Sequence, residues 1–95
     1  MARFILSEKA ERDILEIWAY IAADSVDAAD RFVDTVEERL ARIAETPFVG
    51  RCRDELGKDF RSLSMGNYLI VYRPVEEGIH VARVIHGARD LPGLF

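Results

Sequence analysis

Along this chain the spacing of apolar residues goes from strand-like to helical and back. Arg3-Phe4-Ile5-Leu6 is a short apolar run closed by Ser7, with Glu8, Glu11 and Asp13 behind it. A hydroxyl followed by acids is a helix start: the oxygen accepts an otherwise unpaired backbone N–H, and carboxylates suit the positive end of the helix dipole. The run therefore predicts a strand leading into a helix. Ala10, Ile14, Ile17, Trp18 and Ile21 then recur at helical spacing, with Glu11, Asp13 and Glu16 largely on other faces. Asp24-Ser25 interrupts this stripe and offers a second cap. Ala29, Phe32, Val33, Val36, Leu40 and Ile43 renew it as far as Thr46-Pro47, where the residue before proline is pushed out of the helical region. Together these predict a tight helical hairpin. Alanines at 22, 23, 28 and 29 flank its turn, where small side chains let two helices approach closely.

From Pro47 to Asp59 there is a proline, two glycines and little periodicity, which predicts a loop crossing to a sheet. Three β-rich runs follow: Phe60–Ser64, Tyr68–Arg73 and Ile79–His86, separated by Gly66-Asn67 and Glu76-Glu77-Gly78. The pattern is that of an antiparallel meander. Leu69 and Val71 alternate with Tyr68, Ile70 and Tyr72, while Val81, Arg83 and Ile85 alternate with His80, Ala82, Val84 and His86. Because both faces carry apolar residues, the face that meets the core stays open at this point. The order is β-α-α-β-β-β, an α+β fold with the N-terminal helical hairpin packed on a small, mainly antiparallel sheet. The tail Gly87–Phe95, with Pro92 and two glycines, is expected to be irregular.

A length of 95 residues with 49% hydrophobic and 32% charged side chains fits one small globular domain with a modest core. The 13 basic and 17 acidic residues leave a net charge of -4, which speaks against a domain held on nucleic acid mainly by counterion release. That charge is unevenly placed: residues 1–46 hold six bases and eleven acids, whereas residues 47–95 hold seven bases and six acids. The acidity belongs to the hairpin, and both histidines, His80 and His86, belong to the sheet half. A lone Cys52 permits no internal disulfide, and neither a leader-like opening nor a membrane-length apolar stretch is present, so the expected location is the cytoplasm. No metal-ligand spacing, phosphate-cradling glycine loop or nucleophile elbow occurs, and no metal or cofactor is expected.

Several short stretches, taken in order, carry a family resemblance. They are Leu6-Ser7-x-x-Ala10, Ile17-Trp18-x-Tyr20-Ile21, Ala28-Ala29-x-x-Phe32, Thr46-Pro47-x-x-Gly50-Arg51, Leu56-Gly57 and Arg61, then Tyr68-x-Ile70-x-Tyr72-Arg73 and Arg83-Val84-Ile85-His86-Gly87-Ala88-Arg89-Asp90. Over nearly the whole chain this resembles the ParE branch of the RelE/ParE superfamily of bacterial toxins, and implies a single toxin domain over residues 1–95. The resemblance implies the toxin of a type II toxin–antitoxin pair, neutralised by a ParD-like antitoxin in a hetero-oligomer. It also implies DNA gyrase as the target, whereas the RelE branch cuts messenger RNA on the ribosome.

A metal-free ribonuclease must deprotonate a ribose hydroxyl, stabilise a phosphorane and protonate the leaving oxygen. Aligned on Tyr68–Arg73, Leu69 stands where the nuclease branch carries an arginine; the C-terminal Leu91–Phe95 has no tyrosine, and Lys9 and Lys58 are the only lysines. The expectation is therefore no catalytic residue and no direct nucleic-acid contact. An alternative nuclease reading would use Arg61, Arg83, His86 and Arg89, and a further alternative is a non-toxic, antitoxin-binding co-repressor. Arg61, Arg73 and Arg83 on neighbouring strands are expected mainly in internal salt bridges. Trp18 and Tyr20 are expected to pack in the hairpin. The expected antitoxin contacts are Trp18, Ile21, Phe32, Val36 and Leu40, and the expected target contacts are Arg89, Leu91, Leu94 and Phe95 in the tail.

Overall fold

The computed structural model describes residues 2–87. Strand β1 (Arg3–Leu6) leads into helices α1 (Glu8–Ala22) and α2 (Val26–Glu45); strands β2 (Arg51–Cys52), β3 (Arg61–Met65), β4 (Tyr68–Val75) and β5 (Gly78–His86) follow, with a single 3-10 turn at Asp54–Leu56. Both helix starts are capped as expected. Ser7 Oγ accepts the Ala10 N–H at 3.0 Å, and Ser25 Oγ accepts that of Ala28 at 3.1 Å. Gly66, at φ 61°, opens the two-residue turn between β3 and β4, a backbone conformation that costs glycine least.

The five strands form one sheet in the order β1-β5-β4-β3-β2, with β1 parallel to β5 and every other pair antiparallel. The expected loop after α2 is thus partly sheet. Arg51 and Cys52 pair with Ser62 and Arg61, but two polar residues carry no alternation by which a strand can be read. β4 also runs on through Pro74. Its pairing with β3 ends at Tyr72, so the missing proline N–H falls on an open edge.

The hairpin packs on one face of the sheet. Ile70, Tyr72, Ile79, Val81 and Val84 meet Ala10, Val36, Leu40, Ile43 and Ala44 in the main core, while Leu69, Val71 and Ile85 face the other way, under Leu56 and Phe60. Which face is the core is thereby settled, and a β-bulge divides the apolar residues of β5 between the two faces. Val71 pairs with Arg83 but Tyr72 pairs with Val81, so Ala82 has no opposite number and the in-out alternation of β5 changes phase there. Val81 and Ile85 do not share a face as strict alternation requires: Val81 lies in the helix-side core and Ile85 in the opposite cluster. No helix among the described residues is long and apolar enough to cross a membrane.

Candidate functional site

β1 pairs with β5 only as far as Val81, beyond which the side chains of Ser7, the cap of α1, and of Asp13 within α1 take over the edge of β5. Ser7 Oγ donates to Ala82 O at 2.8 Å, and Asp13 accepts the Val84 N–H at 3.0 Å. The same Asp13 carboxylate receives Arg83 Nε at 2.7 Å and Nη2 at 2.8 Å, a bidentate pair with both side chains mostly out of water. The Arg83 guanidinium is held above its ordinary range, chiefly by this bond to Asp13, which outweighs the opposing effect of burial.

Of the nuclease alternative, the described residues set Arg61 apart from Arg83 and His86. Arg61 sits on β3, where Nη1 donates to Phe48 O at 3.0 Å and Gly50 O at 2.8 Å and the guanidinium lies 5.1 Å from the Phe48 ring centre. It anchors the loop after α2 through carbonyls and an aromatic ring, not through the internal salt bridge expected for it. Arg83 does make that salt bridge, and Arg73 is exposed, directly across from His80. His86, at the far end of β5, forms a T-shaped pair with Tyr68, the ring centres 5.8 Å apart. Strand and residue spacings put Arg61 and His86 roughly 16 Å apart. Arg83 and His86 do share a notch of ≈ 220 Å³, where Asp13, Glu16, Tyr20 and Tyr68 also line the wall. Two carboxylates against one arginine make that notch a poor seat for phosphate. Arg89, Leu91, Leu94 and Phe95 lie outside the described residues.

The other flank of α1 is apolar. Phe4 and Leu6 of β1, Ile14 of α1 and Val33, Val36 and Leu40 of α2 line a cavity of ≈ 230 Å³ together with Glu11 and Glu37. A second hollow, of ≈ 350 Å³, is lined by Glu11, Ile14, Leu15, Trp18 and Val33; three residues are common to both. The two make one trough from the β1 edge along the hairpin to Trp18. Trp18 holds its end of the hairpin together by donating Nε1–H to Asp30 Oδ1 at 2.9 Å.

Burial divides the expected antitoxin contacts, and the packing expected for Tyr20 needs correction. Val36 and Leu40 are 1% and 0% exposed, core residues that a partner meets only through the trough above them. Phe32 packs on Tyr68 at 5.2 Å, which also joins it to the main core. Tyr20 does not pack in the hairpin: it is 80% exposed, because one residue turns a helix by about 100°, carrying it off the stripe of Ile17 and Ile21. Missed altogether were Phe4, Leu6, Ile14, Leu15 and Val33 as trough residues. The available signal was Leu15, an apolar residue beside the stripe rather than on it, and 65% exposed.

Comparison with known proteins agrees with this architecture. Residues 4–91 match the family model of the ParE toxin of the type II toxin–antitoxin system parDE. Toxin ParE1 of Mycobacterium tuberculosis is 34% identical over 92 residues, covering 95% of this chain and 94% of the relative. Toxin ParE1 of Caulobacter vibrioides is 28% identical over 87 residues, 90% of either chain. In three dimensions the fold is similar to a chain of the chromosomal ParDE toxin–antitoxin system from P. aeruginosa, with a TM-score of 0.72 at 18% identity over 90% of this chain and 96% of that one. With a helical hairpin on a five-stranded sheet and a family match over most of its length, the chain belongs to the ParE toxins of type II toxin–antitoxin systems.

Proposed function

We propose that this toxin acts by protein–protein contact rather than catalysis, inhibiting DNA gyrase when free and held inactive in a hetero-oligomer by a ParD-like antitoxin. The observation that carries the non-catalytic part is the Asp13–Arg83 pair. Arg83, one of the two strand arginines of the alternative nuclease set, is already bound to an internal carboxylate at 2.7 Å, and Leu69 stands where the nuclease branch has an arginine. A cation committed in this way has little attraction left for a phosphorane. Membership of the ParE branch supports gyrase as the target.

The trough suits the antitoxin. An apolar channel between a helical hairpin and a sheet-edge strand accepts an amphipathic segment, a recurrent mode of recognition. Trp18 would take an anchor of the partner in the trough and Val36 and Leu40 would support it from below, while Ile21 and Phe32, which line neither hollow, are proposed contacts of the hairpin beyond it. The tail residues Arg89, Leu91, Leu94 and Phe95 are the proposed gyrase contacts.

A supercoiling assay with purified gyrase tests the target: inhibition by excess folded toxin, relieved by the antitoxin, is expected. Absence of inhibition removes gyrase. Mapping of messenger RNA 5′ ends after brief induction gives the enzymatic counterpart, since cleavage clustered within codons would replace the proposal with a nuclease. Unaffected growth on expression without the antitoxin would instead leave a co-repressor. If removal of the tail leaves toxicity intact, the target surface lies elsewhere.

A further inference from the structure

The trough is apolar along its floor but acidic along its walls. Glu11 of α1 and Glu37 of α2 line it beside Phe4, Leu6, Ile14 and Val33, and Glu11 lines the adjoining hollow as well. Among the described residues, no lysine, arginine or histidine lines either cavity. Two other acids of the hairpin have work within the fold: Asp13 holds Arg83, and Asp30 holds Trp18. Glu11 and Glu37 are exposed and have no ion-pair partner among the described residues. The surrounding field has the same sign, since residues 1–46 hold eleven acids against six bases.

We infer that the trough selects a basic amphipathic segment, one whose apolar anchors fill the floor while flanking lysines or arginines meet Glu11 and Glu37. This rests on the trough being the antitoxin's seat, and adds the chemistry by which it tells one antitoxin from another. The apolar floor accepts any hydrophobic anchor of suitable size and so discriminates weakly. The walls supply the discrimination: an acidic flank would bring like charges together over a surface that is losing water, whereas a basic flank is drawn in and aligned. A segment laid along the trough cannot avoid Glu11, which borders both hollows.

The test uses Trp18, the single tryptophan of the sequence, as an intrinsic fluorescent reporter at one end of the trough. The probes are two synthetic amphipathic peptides with identical leucines at i, i+3, i+4 and i+7, flanked in one by lysine and in the other by glutamate. The lysine peptide is expected to bind about tenfold more tightly at low salt, the preference fading in ~1 M salt as the screening length falls to ~3 Å. The Glu11→Lys, Glu37→Lys double variant, altered only at exposed positions, should reverse the order. Val33→Asp, which charges the floor, should bind neither peptide. Equal affinities for the two peptides, abolished by Val33→Asp, would overturn the charge selection and leave the trough as the antitoxin's seat. No change in Trp18 emission with either peptide would remove the seat as well. Trp18 emission that varies with protein concentration alone, and ceases to in Val33→Asp, would show a second copy occupying the trough and overturn the inference.

Discussion

Asp13 and Arg83 are 70 residues apart in the chain and meet through two hydrogen bonds of 2.7 and 2.8 Å. The carboxylate also takes the Val84 N–H, so one side chain terminates the open edge of β5, fixes the strand just past its bulge and neutralises its arginine. Loss of Asp13 leaves both a guanidinium and a backbone donor without that acceptor in a region largely closed to water. Asp13→Ala is therefore expected to destabilise the fold by about 3 kcal/mol. Arg83→Met should cost less, because the methionine fills the same space and the remaining carboxylate still has the Val84 N–H. Urea unfolding of the two variants measures the difference; equal costs would mean that the strand-edge bond contributes nothing.

Tyr72, on the central strand β4, performs a comparable task for the loop after α2. Its ring is fully buried, its hydroxyl donates to Pro47 O at 2.9 Å, and it accepts the Gly50 N–H at 2.8 Å, pinning the loop that follows α2. Tyr72→Phe keeps the ring but leaves a buried N–H and a carbonyl unpaired, for an expected loss of about 2 kcal/mol. Gly50→Ala attacks the same contact from the opposite side, since an added Cβ would stand 2.5 Å from the tyrosine oxygen and 2.9 Å from Ser62 O. It should cost about 1–3 kcal/mol through overpacking. As the residues touch, the two losses should fall short of additivity in the double variant, which thermal unfolding can establish.

Burial also raises the Tyr72 hydroxyl above the ordinary tyrosine value of 10.0, outweighing the lowering by the Gly50 hydrogen bond and the Arg61 charge. Folding thus keeps a proton that the unfolded chain releases. The resulting stability is fully present below pH 10 and is lost as the pH rises through the higher native value. Stability measured by denaturant titration should accordingly fall with rising pH above about 10. The Tyr72→Phe protein, less stable at neutral pH, should show a shallower fall over that same range. An identical alkaline slope in both proteins would assign the loss to other groups.

How far the sequence revealed this molecule depends on the range of the interaction. Ser7, Ser25 and Pro47 bound the helices through contacts within a few residues, and each boundary was legible. The pairing of Arg51-Cys52 with β3 was not, because two polar residues have no period. Nor was the phase change at Ala82: with apolar residues on both faces, a bulge leaves no trace in the alternation. The site was less legible still. Asp13 read as a helix-start acid and Arg83 as a strand arginine, and only the crossing of α1 over β5 joins them. Val36 and Leu40, at the centre of the stripe, are core, while the trough above them also takes in Leu15, which stands beside the stripe and which the helical period does not mark.

Ser7 and Ser25 offer an internal comparison of two helix caps. Ser25 accepts the Ala28 N–H, whereas Ser7 accepts the Ala10 N–H and also donates to Ala82 O beside the bulge. Replacement of a capping serine by alanine costs about 1 kcal/mol. Ser25→Ala should lose that amount and Ser7→Ala about twice as much, the further ~1 kcal/mol being the hydrogen bond to the strand. Equal losses would mean that water replaces Ser7 at the Ala82 carbonyl.

Leu15 separates folding from recognition. At 65% exposed and off the core stripe, it adds little to stability, so Leu15→Ser should change unfolding free energy by no more than about 0.5 kcal/mol. Yet it lines the trough beside Trp18 and Ile14, where an antitoxin anchor would cover it. Truncation of an interface residue that becomes buried on binding costs on the order of 1–2 kcal/mol, or roughly five- to thirtyfold in affinity. Calorimetric titration of the antitoxin into wild-type and Leu15→Ser toxin should show that weakening, with unchanged melting of the free proteins. Tyr20→Ser is the matched control: it is equally removed from the core but lies on the opposite flank of α1, in the notch with Tyr68 and His86. An antitoxin seated in the trough should bind this variant normally. If Tyr20→Ser weakens the complex and Leu15→Ser does not, the antitoxin occupies the β5 flank, and the arginine notch rather than the trough is the surface it protects.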